Sequence, residues 1–291
     1  MQTFSVVFCG TPTFALPTLT ALINDEHFSV QLVITQPDRK QGRAQRITPS
    51  PIAQLANAQN IPTQKPESIR RDVTVTQHIR NVQPDFLIVV AYGQILPQHI
   101  LDIPTIAPVN IHASLLPRWR GASPIQHTIL YGDKEGGVTI QRMEKGLDTG
   151  PILSQKSIPI DPRETAVSLH DKLADMGATL LRETLKQPLT PRKQDVLLVT
   201  ECHKLTREDG VVDTATMNAE EIDRRVRALV PWPGVTCIVH NQSIKLLNTA
   251  LVETSDSLAI TCKDNTILYL LQIQPPGKKP MTGTAWAQGY L

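Results

Sequence analysis

The chain has 291 residues, of which 41% are hydrophobic, and a formal net charge of +2 at pH 7. This length exceeds what one compact domain usually needs and is sufficient for two, and the composition is that of an ordinary globular protein. Because the net charge is so small, the chain as a whole is not a polyanion-binding protein, and any surface for nucleic acid must be local.

The chain begins with a short polar stretch and enters an apolar, buried strand at residues 4–9. It has no basic leader, no signal-peptide region and no apolar run of membrane-spanning length, so we predict a soluble, cytoplasmic protein that contacts no membrane. The cysteines form no Cys-x-x-Cys pair and no cluster with histidines; they are Cys9, Cys202, Cys237 and Cys262. This spacing argues against a zinc site or a disulfide framework, and we predict no metal.

Up to about residue 190, short β-branched runs alternate with helical stretches, which is typical of an α/β domain with a mostly parallel, Rossmann-like sheet. The predicted strands are 4–9, 29–35, 85–91, 107–112 and 137–142. We expect Thr13 to cap the first helix, because Pro17 then lies in the first turn, where its missing N–H has no acceptor within the helix. A long helix is predicted at 165–186, where one apolar stripe is formed by Leu169, Leu173, Met176 and Leu180.

A proline-rich, polar stretch begins at Lys186, and we predict a linker over residues 190–206. Beyond it, an amphipathic helix at 218–230 precedes four predicted strands, at 236–240, 244–251, 258–262 and 266–274. We therefore predict a first domain at 1–189 and a small C-terminal β-barrel domain, similar to oligonucleotide-binding (OB) folds, at 207–291.

Three polar residues are the candidates for chemistry. Asn110 and His112 lie two residues apart at the end of the predicted 107–112 strand, so their side chains point to one face of the sheet. The C-terminal ends of parallel strands open into the ligand crevice of such domains. Asp148 lies on a turn between Gly146 and Gly150, where glycine permits tight turns and the close approach of another group.

These side chains suit transfer of an acyl group to an amine. Attack of the amine on the carbonyl carbon produces an oxyanion, to which an Asn amide and a protonated His can donate hydrogen bonds. A nearby carboxylate favours the imidazolium and can move a proton. Taken singly, each residue has another interpretation: a lone His is more often a hydrogen-bonded structural residue, and an Asp in a glycine-flanked turn usually forms an Asx turn.

The motifs around these residues resemble the shared core of the folate-dependent formyltransferases. The similar segments are Asn110-x-His112, residues 114–122 (Ser-Leu-Leu-Pro-Arg-Trp-Arg-Gly-Ala) and Gly146-Leu-Asp148-Thr-Gly150. The resemblance implies that Asn110, His112 and Asp148 are the catalytic residues and that 10-formyltetrahydrofolate is the co-substrate. It also implies a folate site formed by two segments, which comprise Tyr92, Gly93, Gln94, Ile95 and Leu96, and Ser114, Leu115, Leu116 and Pro117.

Other segments resemble the methionyl-tRNA formyltransferases within that superfamily. The loop at 36–46 is similar to the loop with which that family contacts the acceptor stem of initiator tRNA, and the segments 231–234 and 275–281 are similar to its appended barrel. The resemblance implies tRNA contacts by four cations, namely Arg39, Lys40, Arg43 and Arg46, although charge alone favours a solvated loop. The implied function is formylation of the methionine amino group on initiator methionyl-tRNA for translation initiation, with no obligate protein partner.

One feature departs from that family, and other functions stay open. Residues 201–291 contain nine Lys/Arg and ten Asp/Glu, so the predicted barrel is near neutral, whereas the resemblance implies a basic tRNA platform. The alternative function is a folate-dependent sugar-nucleotide N-formyltransferase. A dinucleotide dehydrogenase is disfavoured because residues 9–14 do not match Gly-x-Gly-x-x-Gly, and a serine hydrolase because no Gly-x-Ser-x-Gly surrounds Ser114. The complete set of Asn110, His112 and Asp148 argues against a non-catalytic RNA-binding module.

Overall fold

The structure is a computed structural model that describes residues 3–42 and 45–290. The chain divides into two compact units. The first comprises Met1–Arg120, Gly137–Ile158 and His170–Glu201, and the second Gly121–Gly136, Pro159–Leu169 and Cys202–Leu291. These units do not coincide with single stretches of the sequence, and the domain and linker boundaries at 189 and 206 stay a prediction.

The described residues form the following elements. The strands are β1 (Phe4–Gly10), β2 (Phe28–Ile34), β3 (Arg39–Gln41), β4 (Arg46–Thr48), β5 (Thr63–Gln64), β6 (Phe86–Val90), β7 (Ala107–His112), β8 (Arg120–Gly121), β9 (Glu135–Arg142), β10 (Ile152–Pro159), β11 (Glu201–Cys202), β12 (Val235–Val239), β13 (Gln242–Ala250), β14 (Leu258–Thr261), β15 (Ile267–Gln274) and β16 (Met281–Thr282). The helices are α1 (Leu16–Ile23), α2 (Pro51–Ala58), α3 (Val73–Val82), α4 (Gln98–Leu101), α5 (Pro124–Leu130), α6 (Ala166–Leu185), α7 (Ala219–Leu229) and α8 (Gly283–Tyr290). None of the described helices is long and apolar enough to cross a membrane.

The central sheet has seven strands in the order β10-β9-β7-β6-β1-β2-β5. The neighbours from β7 through β6, β1 and β2 to β5 run parallel, and β7 and β9 pair antiparallel. All five residues of β6 are buried, which is the near-continuous apolar run expected of a strand covered on both faces. The prediction of a mostly parallel α/β sheet is therefore confirmed.

The predicted cap of the first helix is wrong. Thr13 is the first residue of a 3-10 turn, Thr13–Ala15, and is therefore already helical, whereas an N-cap residue lies outside the helix with extended backbone. The α-helix begins only at Leu16, after Ala15, and no side chain caps it. Pro17 does lie in its first turn, where no hydrogen bond is lost.

The C-terminal region is rich in β-strands, in agreement with the predicted OB-like fold. Its sheet has the order β12-β13-β15-β14, with β16 also paired to β15, and the recorded pairs are antiparallel. Helix α7 begins with a capping box, in which the Asn218 side chain accepts from the Glu221 N–H and the Glu221 side chain accepts from the Asn218 N–H. This reciprocal pair satisfies two of the N–H groups that a helix start leaves open.

A buried carboxylate joins several segments of the second unit. Asp223, which is 1% exposed, accepts hydrogen bonds from Arg163 (2.9 and 3.0 Å), Arg227 (2.8 Å) and the Thr249 hydroxyl (2.8 Å). Two guanidinium groups and a hydroxyl therefore satisfy a charge that would otherwise be costly to bury.

A second buried carboxylate lies in the first unit, at the turn between α1 and β2. Asp25 lies against the cationic side chains of Arg182 (2.9 Å) and Lys186 (2.7 Å) and against the His27 ring (2.8 Å). Burial by itself raises the pKa of the Asp25 carboxyl, but hydrogen bonds from these three side chains outweigh that effect and hold the pKa well below its usual value.

Candidate active site

Strand β7 places Asn110 and His112 at the C-terminal end of the central sheet. In register, Asn110 lies opposite Val89 of β6 and Gln141 of β9, and His112 lies opposite Thr139 of β9. Asn110 is half-buried, whereas His112 is only 6% exposed. The period of two that predicted a shared face is thus realised at a strand end, as expected for a functional position in a parallel sheet.

Both ring nitrogens of His112 face oxygen atoms. Nε2 is 2.9 Å from the backbone carbonyl of Trp119, and Nδ1 is 3.5 Å from Oδ1 of Asp148. A carbonyl oxygen can only accept, so Nε2 carries a proton and donates it. Because Nδ1 then faces a carboxylate, both contacts are attractive only when the ring carries both protons.

The turn that carries Asp148 depends on its two glycines. Gly146 has φ of +133° and Asp148 itself has φ of +54°, so the turn uses backbone conformations that most residues avoid. A Cβ atom at Gly150 would lie 1.9 Å from the carbonyl oxygen of Arg142, so no larger residue fits there. The glycine spacing therefore allows the Asp148 carboxylate to reach His112.

Sequence reasoning missed three groups that hold these residues. The Gln141 side-chain amide donates to Asp148 Oδ1 at 2.8 Å, the Trp119 carbonyl accepts from His112, and the Gln194 amide donates to the Asp148 carbonyl at 2.8 Å. Gln141 could have been found, since it lies two residues from Thr139 on the predicted 137–142 strand and therefore points to the same face of the sheet. The other two could not, because one is a backbone carbonyl and the other lies far along the chain.

The first predicted folate segment, residues 92–96, follows β6, the parallel neighbour of β7. The Tyr92 carbonyl accepts hydrogen bonds from the Thr11 hydroxyl (2.9 Å) and the Gln36 side chain (3.2 Å), which come from the loops after β1 and β2. The Gln94 side chain accepts from the Ile69 N–H at 2.8 Å. Tyr92 and Leu96 are buried, and Ile95 is 85% exposed. The segment is therefore a fixed backbone that presents one apolar side chain to solvent.

Two ionisable groups near this segment stay neutral. Cys9 lies at the end of β1 and Tyr92 just after β6, and both side chains are buried. Burial raises the pKa of the Cys9 thiol and of the Tyr92 phenol. Neither group is therefore suited to act as a base or a nucleophile at neutral pH.

The second predicted folate segment, Ser114 to Pro117, follows β7 directly. The Thr139 hydroxyl donates to the Ser114 carbonyl (2.7 Å) and accepts from the Leu116 N–H (3.0 Å). The Ser114 hydroxyl is buried and donates to the Arg118 carbonyl at 2.5 Å. Since this hydroxyl is used within the loop, Ser114 contributes to the shape of the segment, and both candidate folate segments lie at the same edge of the sheet.

The predicted tRNA loop follows β2. Its ends form a two-stranded hairpin, in which β3 pairs with β4 from Arg39 opposite Thr48 to Gln41 opposite Arg46. Arg39, Lys40 and Arg46 are exposed. Arg43 lies outside the described residues. No group of three or more His, Cys, Asp or Glu side chains that could hold a metal is found among the described residues.

Comparisons with known proteins identify the family of the chain. The formyl transferase family model matches residues 4–185, and the model of the formyl transferase C-terminal domain matches residues 204–291. The chain is 42% identical to a methionyl-tRNA formyltransferase of Magnetococcus marinus, over all of this chain and 96% of that protein. It is 40% identical to a methionyl-tRNA formyltransferase of Pelobacter propionicus, over 99% of this chain and 94% of that protein.

Solved structures share the fold at much lower identity. An N-formyltransferase from Helicobacter canadensis, solved with folinic acid and dTDP-3-aminofucose, superposes with a TM-score of 0.66 at 17% identity, covering 94% of this chain and all of that chain. At this identity the likeness shows the fold alone, and the sequence relatives show the family. The chain belongs to the formyl transferase family and, within it, to the methionyl-tRNA formyltransferases.

Proposed function

We propose that this chain transfers the formyl group of 10-formyltetrahydrofolate to the amino group of methionine on initiator methionyl-tRNA. The observation that carries the proposal is the similarity to methionyl-tRNA formyltransferases along essentially the whole chain, including the C-terminal region. The N-formyltransferase solved with dTDP-3-aminofucose also covers 94% of this chain, but at 17% identity, so the sequence similarity favours the tRNA acceptor. This activity belongs to translation initiation, and we propose the cytoplasm as its location.

The contacts of the three candidate residues support catalytic roles. The methionine amine attacks the formyl carbon carried on N10 of the folate, and negative charge then grows on the formyl oxygen. When the carbonyl re-forms, the bond between the formyl carbon and N10 breaks, N10 receives a proton in place of the one that the amine gives up, and tetrahydrofolate leaves. Asn110 lies on the same strand face as His112 and offers an amide N–H to that oxygen. His112 in its imidazolium form would be a second donor through Nδ1, whose 3.5 Å separation from Asp148 is longer than a charge-assisted hydrogen bond.

Asp148 supplies the negative charge that stabilises the imidazolium, and it can take up the proton that the attacking amine releases. Its side chain is 10% exposed and that of His112 is 7% exposed, so water screens their interaction only weakly. Gln141 fixes the carboxylate by donating to the same oxygen that faces His112. The turn thus presents one charge to one ring nitrogen.

The two loop segments at the same sheet edge suit a folate. Pteridine rings are flat and partly apolar, and they are bound by backbone polar groups beside apolar side chains. The segment 92–96 is held in place through the Tyr92 carbonyl and the Gln94 side chain and exposes the apolar Ile95, and the Ser114–Pro117 segment follows the neighbouring strand. We propose that these segments hold the co-substrate beside Asn110 and His112.

The exposed cations of the β3–β4 hairpin are proposed to bind the phosphates of the acceptor stem. Arg39, Lys40 and Arg46 project from a short two-stranded structure, and Arg43 belongs to the same loop by family resemblance. Phosphate contacts made by several such cations release counterions and make the affinity depend steeply on salt. Replacing Arg43 by Ala should weaken tRNA binding far more than folate binding; equal losses of both would contradict this role.

The decisive experiment offers the purified protein 10-formyltetrahydrofolate together with either methionyl initiator tRNA or an amino-sugar nucleotide. We expect formylmethionyl-tRNA and no formylated sugar. Formylation of the sugar without formylation of the tRNA would refute the proposal and assign the alternative acceptor. A matched pair of tRNAs, initiator and elongator, both charged with methionine, would show whether the RNA or only the amino acid is selected.

A further inference from the structure

We propose that residues 194–200, here named the strap, position both partners of the His112 ring, with Gln194 and Thr200 as positioning residues. The inference rests on the proposed function, since it concerns the same three catalytic side chains. The strap lies in the segment for which the sequence predicts only a linker. It contacts the two backbone elements that place oxygen atoms against the two nitrogens of His112.

The first contact holds the Asp148 turn. The side-chain amide of Gln194 donates to the carbonyl of Asp148 at 2.8 Å and to the carbonyl of Gly150 at 2.7 Å. Its oxygen accepts from Nε and Nη2 of Arg120 at 3.0 and 2.8 Å. All four hydrogen-bonding positions of this one amide are therefore used. Because the Gln194 amide binds the turn on both sides of Thr149, it fixes the direction from which the Asp148 carboxylate approaches His112.

The second contact holds the Trp119 backbone. The Thr200 hydroxyl accepts from the Trp119 N–H at 2.9 Å, and the Thr200 carbonyl accepts from the Arg120 N–H at 2.9 Å. The Thr200 N–H donates to the Pro117 carbonyl at 3.3 Å. The Trp119 carbonyl, which accepts from His112 Nε2, is thereby held on both sides, through the Trp119 N–H and the Arg120 N–H. A shift of Thr200 would move the Trp119 carbonyl and with it the ring.

Both elements have backbone conformations that side chains other than glycine seldom adopt. Trp119 has φ of +60° and Asp148 has φ of +54°. The left-handed region costs a residue such as Trp roughly 1–2 kcal/mol and costs Asp less, so the Trp119 conformation in particular persists only where surrounding contacts enforce it. The strap supplies contacts to both, and Arg120, which donates to Gln194 and to Thr200, connects them.

Packing of its own apolar side chains does not explain where the strap lies. The 3-10 turn in its middle exposes Val196 (76%), Leu197 (89%) and Leu198 (63%). A segment held by the hydrophobic effect would bury such residues. The position of the strap instead follows polar contacts, namely those of Gln194 and Thr200 and, just before it, the backbone bridge between Ile152 and Arg192. Because the contacts of Gln194 and Thr200 reach the partners of His112, we infer that these two residues have a role in the site.

The test uses near-isosteric variants of the full-length protein. Thr200→Val removes the hydroxyl and Thr200→Ser retains it; Gln194→Met removes the amide at similar length. We expect kcat to fall about tenfold or more for T200V and Q194M, because each loses hydrogen bonds that fix the ring, while KM for both substrates changes by less than about twofold. T200S should recover most of kcat. Gln187→Met, at an exposed position shortly before the strap, is the matched control and should keep wild-type kcat.

A second readout separates positioning from general stability. The ring ¹H and ¹⁵N NMR signals of His112 should shift in T200V and Q194M and stay unchanged in Q187M at a temperature where all variants are folded. Unchanged His112 signals, or wild-type kcat in both strap variants, would overturn the proposal. If the wild-type protein formylates no tRNA, the proposed function fails, but the NMR comparison still decides whether the strap orients the ring.

Discussion

The charge of Asp148 can be removed almost without changing shape, and the result is predictable. In Asp148→Asn, the amide oxygen can still accept from Gln141, so the hydrogen bond that fixes the side chain is kept. Two unit charges 3.5 Å apart interact by about 5 kcal/mol at an effective dielectric constant of about 20. The dipole of a neutral amide retains part of this attraction to an imidazolium, so about half of the energy is lost. The expected result is a kcat/KM about a hundredfold lower.

The assay is the initial rate of formylmethionyl-tRNA formation with 10-formyltetrahydrofolate, together with the melting temperature of each variant. A matched control exists on α6, where Asp171 faces the His170 ring at 2.8 Å with a side chain that is 72% exposed. Asp171→Asn should leave kcat/KM unchanged, because an exposed pair contributes little. If D148N retains kcat/KM within about threefold of wild type while folded, the carboxylate does not act on His112 and the mechanism proposed above is wrong.

Three further predictions concern other parts of the molecule. Asn110→Ala should lower kcat by on the order of a hundredfold or more, with the melting temperature unchanged, because it removes one donor to the developing oxyanion; a comparable loss of stability would indicate a structural role. Asp223→Ala should lower the free energy of unfolding, measured with urea, by about 3 kcal/mol, since it leaves the largely buried Arg227 guanidinium and the buried Thr249 hydroxyl without their acceptor; an effect below about 1 kcal/mol would show that the network is dispensable. Asp25→Asn should lower the free energy of unfolding at pH 7, and the difference between variant and wild type should shrink as the pH falls below about 4. The reason is that a carboxyl whose pKa is lower in the folded than in the unfolded protein stabilises the fold above its unfolded pKa, and this contribution is lost when the carboxyl is protonated. A difference that stays constant down to pH 2 would refute the charge contribution of Asp25.

The elements with strong local signals could be predicted from the sequence. The strand at 107–112 was predicted to the residue, because an apolar run ends there with two polar residues on one face. The helix predicted at 218–230 forms as Ala219–Leu229, since its apolar stripe and its capping residues, Asn218 and Glu221, agree. In this helix the apolar pattern and the capping residues indicate the same element.

Elements that depend on distant contacts were missed. Helix α8 contains Gly283 and Gly289 and no charged residue, so its sequence favours no helix; its Trp286 is fully buried, and tertiary packing stabilises it. The β3–β4 hairpin is a local element, and the sequence predicted only a loop there, because three-residue strands rich in cations carry little β propensity.

The candidate site divides in the same way. The types and spacing of Asn110, His112 and Asp148 were accessible from the sequence. Their partners were not: the Trp119 carbonyl depends on backbone dihedral angles, and Gln194 is 46 positions from Asp148. The residue types and their spacing indicate which side chains can be catalytic, whereas the groups that orient these side chains can lie anywhere along the chain.

Gly150 lies very close to the Arg142 carbonyl oxygen. We therefore expect a substitution of this glycine to impair activity as strongly as a substitution of a candidate catalytic residue, although glycine has no functional group. A single methyl group there would collide with the Arg142 oxygen, and the collision could be relieved only by moving the turn or the end of β9. The next residue back along β9 is Gln141, whose amide holds the Asp148 carboxylate. We therefore expect Gly150→Ala to disturb the proposed proton transfer at Asp148, although an alanine side chain itself neither binds nor exchanges a proton.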